Sequence, residues 1–210
     1  MRFVDFKARF QSLPLLPIKI VFGQASRADL NQIERWRKQG FLLRLRRGLY
    51  LFDKANRKIE PSKLYLAGQI YQPSYISLEY ALGRYGLIPE RVADATSVTT
   101  RKTARFVNDL GTFIYQSVKP AAFRGFTLRK DEAGLPYFIA EPEKAAADFI
   151  YLNLHKIADG KEEETLRESF RFQNLDSLRK NKITDYFGLF NMRKMENVAR
   201  VLRALAGKIA

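Results

Sequence analysis

Between Phe3 and Phe52 the apolar periodicity changes once, from helical to strand-like, and that switch restricts what the segment can fold into. Phe3, Phe6, Phe10 and Leu13 recur at i, i+3, i+7 and i+10, one face of a helix closed by Pro14. Pro17 to Phe22, ending at Gly23, is long enough for a turn or two of helix. Ser26 can cap the next helix, with Asp29 three residues on for the reciprocal contact of a capping box. That helix is predicted from Arg27 to about Gln39, with Gly40 as its stop. Its apolar side is predicted as Leu30, Ile33 and either Trp36 or Arg37. Phe41 to Leu45 and Leu49 to Phe52 then read as strands across Arg46-Arg47-Gly48, where Gly48 can take the positive φ of a short hairpin loop. A polar stretch from Ala55 to Pro61 follows, and it places a domain boundary between residues 1–57 and 58–210.

Charge follows the same division. The chain carries 37 Lys and Arg against 22 Asp and Glu, a formal net charge of +15 over 210 residues. Residues 1–55 hold twelve basic and four acidic side chains, so about half of the excess sits in the first quarter. Such a footprint predicts a polyanionic partner, nucleic acid before an anionic membrane surface. Cysteine is absent and His155 is the one histidine, which leaves no thiol chemistry and little room for a zinc site or a Ser-His-Asp triad. The most apolar stretch, Leu13 to Phe22, contains Pro14, Pro17 and Lys19 and falls short of the ~20 residues a membrane span needs. With no apolar leader after Met1, a cytoplasmic protein that does not engage membranes is expected.

The helix and the hairpin have the side chains that duplex DNA requires. Arg27, Asn31 and Arg35 fall at i, i+4 and i+8, flanked by Gln32 and Lys38. Arg, Asn and Gln match guanine and adenine edges in a major groove. Three short helices followed by a hairpin tipped with Arg46 and Arg47 is the layout of a winged helix-turn-helix. Arg27, Asn31, Gln32 and Arg35 are therefore predicted to face bases. Lys19, Lys38, Arg44, Arg46 and Arg47 are predicted to hold phosphates or enter the minor groove.

After Pro61 the pattern predicts a helix to about Tyr71, another capped by Ser77 with Leu78, Ala81, Leu82 and Tyr85 buried, and then strands. The strands are Ala95 to Thr100, Arg105 to Val107, Thr112 to Val118, and a hairpin of Phe123–Arg129 with Leu135–Ala140. Glu141-Pro142-Glu143 opens a helix to about Leu154. Thr99, Thr100, Arg101 and Lys102 sit at a strand end, where hydroxyls and cations could meet an anion or a partner, or could simply make a polar turn.

Several runs in this middle segment, taken in order, resemble one family. They are Tyr75-Ile76-Ser77-Leu78-Glu79, Tyr85-Gly86-Leu87-Ile88-Pro89-Glu90, Thr96-Ser97-Val98-Thr99-Thr100-Arg101-Lys102, Leu110-Gly111-Thr112-Phe113 and Ile139-Ala140-Glu141-Pro142-Glu143-Lys144-Ala145. Together with Gly40 to Tyr50 they are similar to the AbiEi antitoxins, regulators of viral-defence systems, over Met1 to about Leu154. The resemblance implies an α+β chain: an N-terminal winged helix-turn-helix, a central α/β antitoxin domain with a small, mainly antiparallel sheet, and a helical C-terminus. It further implies a repressor that binds double-stranded DNA at inverted repeats in its own promoter. The repressor would also be the type IV antitoxin of a nucleotidyltransferase-like toxin, countering it without stable binding. Two alternatives remain, a module that binds a toxin directly and an RNA-binding protein.

An enzyme is not expected, and no cofactor or metal is implied. The carboxylates and lysine a nuclease would cluster, Asp131, Glu132, Glu141, Glu143 and Lys144, lack the Glu-x-Lys spacing, and no phosphate loop or nucleophile elbow occurs. Gly83-Arg84-Tyr85-Gly86 reads as the end of an amphipathic helix rather than an RNA clamp. In the last third, Glu163 and Arg167 form a favourable i, i+4 pair, and Asn181 to Thr184 is predicted as a break. Met195, Val198, Val201 or Leu202, Leu205 and Ile209 predict a final helix with Arg193, Arg200 and Arg203 on its far side.

Overall fold

The computed structural model describes residues 1–207. The single periodicity switch in residues 3–52 becomes helices α1 (Phe3–Phe10), α2 (Ile18–Phe22) and α3 (Arg27–Lys38), followed by strands β2 (Leu42–Arg46) and β3 (Leu49–Phe52). A two-residue strand β1 (Leu16–Pro17) precedes α2 and pairs antiparallel with β3, so the hairpin is widened to three strands in the order β1-β3-β2. Gly48 sits at φ 78° in the hairpin turn, a conformation that a Cβ would strain. Phe6, Ile33 and Trp36 are buried, with the Phe6 and Trp36 rings 4.7 Å apart and Phe3 stacked on Phe41 at 4.4 Å. Such aromatic pairs add about 0.5–1.5 kcal/mol each beyond area burial.

The small sheet is covered on both sides, which explains why all four residues of β3 are buried. Tyr50 and Phe52 face the core beneath α1 and α3, while Leu49 and Leu51 alternate to the other side with Leu15 and Leu45. That second set packs into the core of the rest of the chain. The polar stretch after the hairpin is ordered. Arg57 donates to the Phe52 carbonyl and pairs with Glu60, and the Lys58 amide donates to the Gln11 carbonyl.

Next come α4 (Lys63–Ile70), β4 (Ser74–Ile76), α5 (Leu78–Arg84), β5 (Ala95–Thr99), β6 (Ala104–Asn108), β7 (Gly111–Ser117), β8 (Phe126–Lys130) and β9 (Pro136–Ala140). Their strands form one six-stranded sheet in the order β6-β7-β5-β4-β9-β8. Three neighbouring pairs are antiparallel and two, β5·β7 and β4·β9, are parallel. The overall class is α+β, as expected. Ser62 caps α4, its hydroxyl accepting from the Tyr65 amide at 3.1 Å. Gly83 lies where a Cβ would come within 2.8 Å of the Glu90 carbonyl, so close packing of the following loop on α5 requires glycine there.

Helix α6 (Pro142–Leu152) buries most of its length, and a short turn α7 (Glu162–Glu164) leads into a wider π-type turn over Thr165–Ser169. The predicted break at Asn181–Thr184 is instead the interior of α8 (Lys180–Gly188). Ile183 and Phe187, four apart, are fully buried, and this tertiary packing outweighs the weak helix propensity of Asn and Thr. Helix α9 (Arg193–Leu205) buries Met195, Val198, Leu202 and Leu205 and exposes Arg193, Arg200 and Arg203. Ile209, predicted for the same stripe, lies outside the described residues.

Candidate nucleic-acid interface

Helix α3 begins with the predicted capping box. The Ser26 hydroxyl accepts from the Asp29 amide at 3.2 Å, and the Asp29 carboxylate accepts from the Ser26 amide at 3.0 Å. The Ser26 contacts hold the Asp29 carboxyl below the usual carboxylate range. The buried stripe is Ile33 and Trp36, not Leu30 and Ile33, since Leu30 is 48% exposed. Spacing alone does not decide this, since Leu30, Ile33 and Trp36 are each three apart; Phe6 and Phe3 pack against Trp36, which turns that side of the helix inward and leaves Leu30 at its edge. Arg27, Asn31, Arg35 and Lys38 are exposed, and Gln32 is half-buried. None of these five side chains has a hydrogen-bond or ion-pair partner among the described residues. Arg37 differs. Its guanidinium grips Glu34, with an Nη2–Oε1 distance of 2.6 Å, and holds that carboxyl below its ordinary value.

The remaining predicted phosphate contacts come from α2 and the hairpin. Lys19, Arg44, Arg46 and Arg47 are exposed. The hairpin tip does not stand alone in solvent: Arg46 and Arg47 line a cleft with Ile70, Tyr71, Gln72, Arg101 and Phe106 of the central region. The Asn108 side-chain amide reinforces the junction, donating to the Leu45 carbonyl at 3.2 Å.

The Thr99–Lys102 group divides. Thr99 is fully buried, and its hydroxyl donates to the Pro73 carbonyl at 2.7 Å while accepting from the Arg101 amide at 3.1 Å. It therefore shapes the turn and offers no free group to a partner, which corrects the expectation for this residue. Thr100 is half-buried, and Arg101 and Lys102 are exposed. Arg101 lies over the Tyr71 ring at 4.5 Å.

Of the carboxylates weighed for a nuclease, Asp131, Glu141 and Glu143 take structural roles, and Glu132 is exposed. Asp131 accepts from the amides of Ser62, Ala133 and Leu135. Glu141 accepts from Lys182, from Arg179 and from the Tyr186 hydroxyl, and Glu143 from the amide and Nε of Arg179. Lys144 is fully buried and pairs with Asp148, whose other oxygen accepts from the hydroxyls of Tyr75 and Ser77, each at 2.9 Å. Burial pushes the Asp148 carboxyl up and the Lys144 ammonium down, and their mutual attraction opposes both shifts. Ser77 thus does not cap α5 with its side chain as predicted; its hydroxyl turns into the core. Among the described residues no three His, Asp or Glu side chains are placed to hold a metal ion, and no helix is long and apolar enough to cross a membrane.

The sequence reading missed Tyr71 and the Asp148 network. The i, i+4 spacing of Lys144 and Asp148 was a visible signal for the latter. For Tyr71 there was none, because its significance comes from Arg101 thirty residues away in sequence. No family model matches the chain, and no curated protein is detectably similar to it.

Proposed function

We propose that the protein binds duplex DNA through α3 and the hairpin, as a sequence-selective transcriptional repressor. The carrying observation is the exposed face of α3, where Arg27, Asn31, Arg35 and Lys38 carry hydrogen-bond donors that no acceptor among the described residues uses. A helix seated on apolar residues, rigidly capped and presenting unpaired Arg and Asn, suits the bidentate geometry of guanine and adenine edges. The order of three helices and a basic-tipped hairpin supports reading residues 1–57 as a winged helix-turn-helix with α3 as its recognition helix. Exposed Leu30 on the same helix supplies an apolar group of the kind that meets a thymine methyl.

The reading extends to an autoregulating antitoxin paired with a nucleotidyltransferase-like toxin. That extension rests on the AbiEi-like runs alone, Gly40 to Tyr50 and those between Tyr75 and Ala145. The test is binding of the purified protein to its own upstream duplex and to a scrambled duplex over a salt series. A preference for the upstream duplex that persists near physiological salt is expected. Equal binding to both duplexes, collapsing together as salt rises, would reduce the charge to a general polyanion handle.

A further inference from the structure

The cleft between the hairpin tip and the central sheet has a volume of about 520 Å³ and is lined by three arginines. Arg46 and Arg47 form one wall, and Arg101 stands on the other above Tyr71. No carboxylate lines it, and none of the three arginines has an ion pair among the described residues. Each is exposed, so an anion carried on a large polymer can reach them.

The arrangement is held in place by the backbone. Arg101 donates from Nη1 to the Gln72 carbonyl at 3.1 Å, and its amide donates to the Thr99 hydroxyl. The Tyr71 hydroxyl donates to the Lys102 carbonyl at 3.0 Å, which fixes the ring beneath the guanidinium. Arg46 donates from Nη1 to the Arg47 carbonyl at 3.2 Å. Three like charges gathered without an acid repel one another, and an anion between them removes that cost. Phosphate is the anion that matches planar guanidinium forks, through paired N–H···O bonds.

We propose that this cleft is a phosphate-binding site and that the phosphate belongs to the duplex backbone. The DNA would then be gripped from the hairpin and from the central sheet together. The source of the phosphate rests on the DNA-binding reading above; the anion chemistry does not. A small free phosphate compound shares that chemistry, so two probes are needed.

The experiment compares the full chain with Arg101→Ala, Arg46→Ala and the double variant. One probe is a labelled duplex of the upstream sequence across a salt series, and the other is inorganic pyrophosphate by calorimetry. Each single variant is expected to weaken duplex binding roughly tenfold. The double variant should lose less than the product of the two, because both arms hold one group. The salt slope should flatten by about 0.9, and the preference for upstream over scrambled duplex should not change. Arg101→Lys should restore only part of the loss, since it returns the charge without the fork. Should Arg101→Ala fail to fold, Arg46→Ala carries the test, its side chain being tied only to the neighbouring carbonyl. Wild-type affinity of the variants for both probes would overturn the site while leaving the DNA reading intact. Pyrophosphate binding that is lost in Arg101→Ala, in a protein that ignores duplex, would uphold the phosphate site and defeat the DNA reading. Failure of the wild-type chain to bind either probe would defeat both.

Discussion

Arg179, Lys182 and Lys144 each end on a carboxylate, whereas Arg27, Arg35 and Lys38 end in solvent and Arg46 and Arg47 line a cleft that holds no carboxylate. The two regions draw on the same residue types. Around α6 and α8 the acids Glu141, Glu143 and Asp148 consume the cations and tie helices together. On α3 and the hairpin the acids are few and local, and Glu34 engages only Arg37. Cations paired internally contribute to stability; cations left unpaired add repulsion to the fold and remain available for an outside anion. The contrast therefore separates α3 and the hairpin, the proposed DNA contact, from the rest of the chain more sharply than net charge does.

The buried pair offers the largest perturbation. Asp148→Ala strands Lys144 in the core together with the Tyr75 and Ser77 hydroxyls, and about 3–5 kcal/mol of stability should be lost in urea unfolding. A loss below about 1 kcal/mol would mean that the pair is not structural. Next in size is Arg35→Ala, which should cost about 1–3 kcal/mol in binding to the preferred duplex, with unfolding changed by less than about 0.5 kcal/mol. Were Arg35→Ala to destabilise the fold instead, the division between paired and free cations would fail.

A third prediction concerns acid. Burial would raise the Glu141 carboxyl, but Lys182, Tyr186 and Arg179 outweigh it and hold the group below its ordinary 4.5. A depressed carboxylate stabilises the fold fully above its unfolded value, and that contribution disappears as pH falls through the folded value. Glu141→Gln should thus unfold about 1 kcal/mol more easily at pH 7 and show a flatter loss of stability below pH 4.5. An unchanged acid limb would remove Glu141 from the network. The smallest effect belongs to Arg167→Ala, which breaks an exposed i, i+4 pair with Glu163 and should change stability by at most about 0.5 kcal/mol.

What could be read in advance was local. The capping box of Ser26 and Asp29, the turn at Gly48 and the buried stripe of α9 depend on residues within a few positions of each other. What could not be read depends on partners far along the chain. Asn181 to Thr184 looks like a break until Ile183 and Phe187 find the core. Ser77 looks like a cap until Asp148, 71 residues on, accepts its hydroxyl. Leu30 and Trp36 are both apolar on the same helix, and only the position of Phe6 decides which is buried. The exposed polar face of α3 was legible because its residues share one helix. The cleft was not, because its walls come from positions 46, 71 and 101.

The central claim is that α3 reads bases while the hairpin holds the backbone. Its most direct test is Arg35→Ala beside Arg47→Ala, each titrated against the upstream and the scrambled duplex over a salt series. Arg35→Ala is predicted to weaken binding to the upstream duplex selectively. Arg47→Ala is predicted to weaken both duplexes alike and to flatten the salt slope by up to about one unit. Identical effects of the two variants on every sequence would contradict the assignment of α3 as the recognition helix.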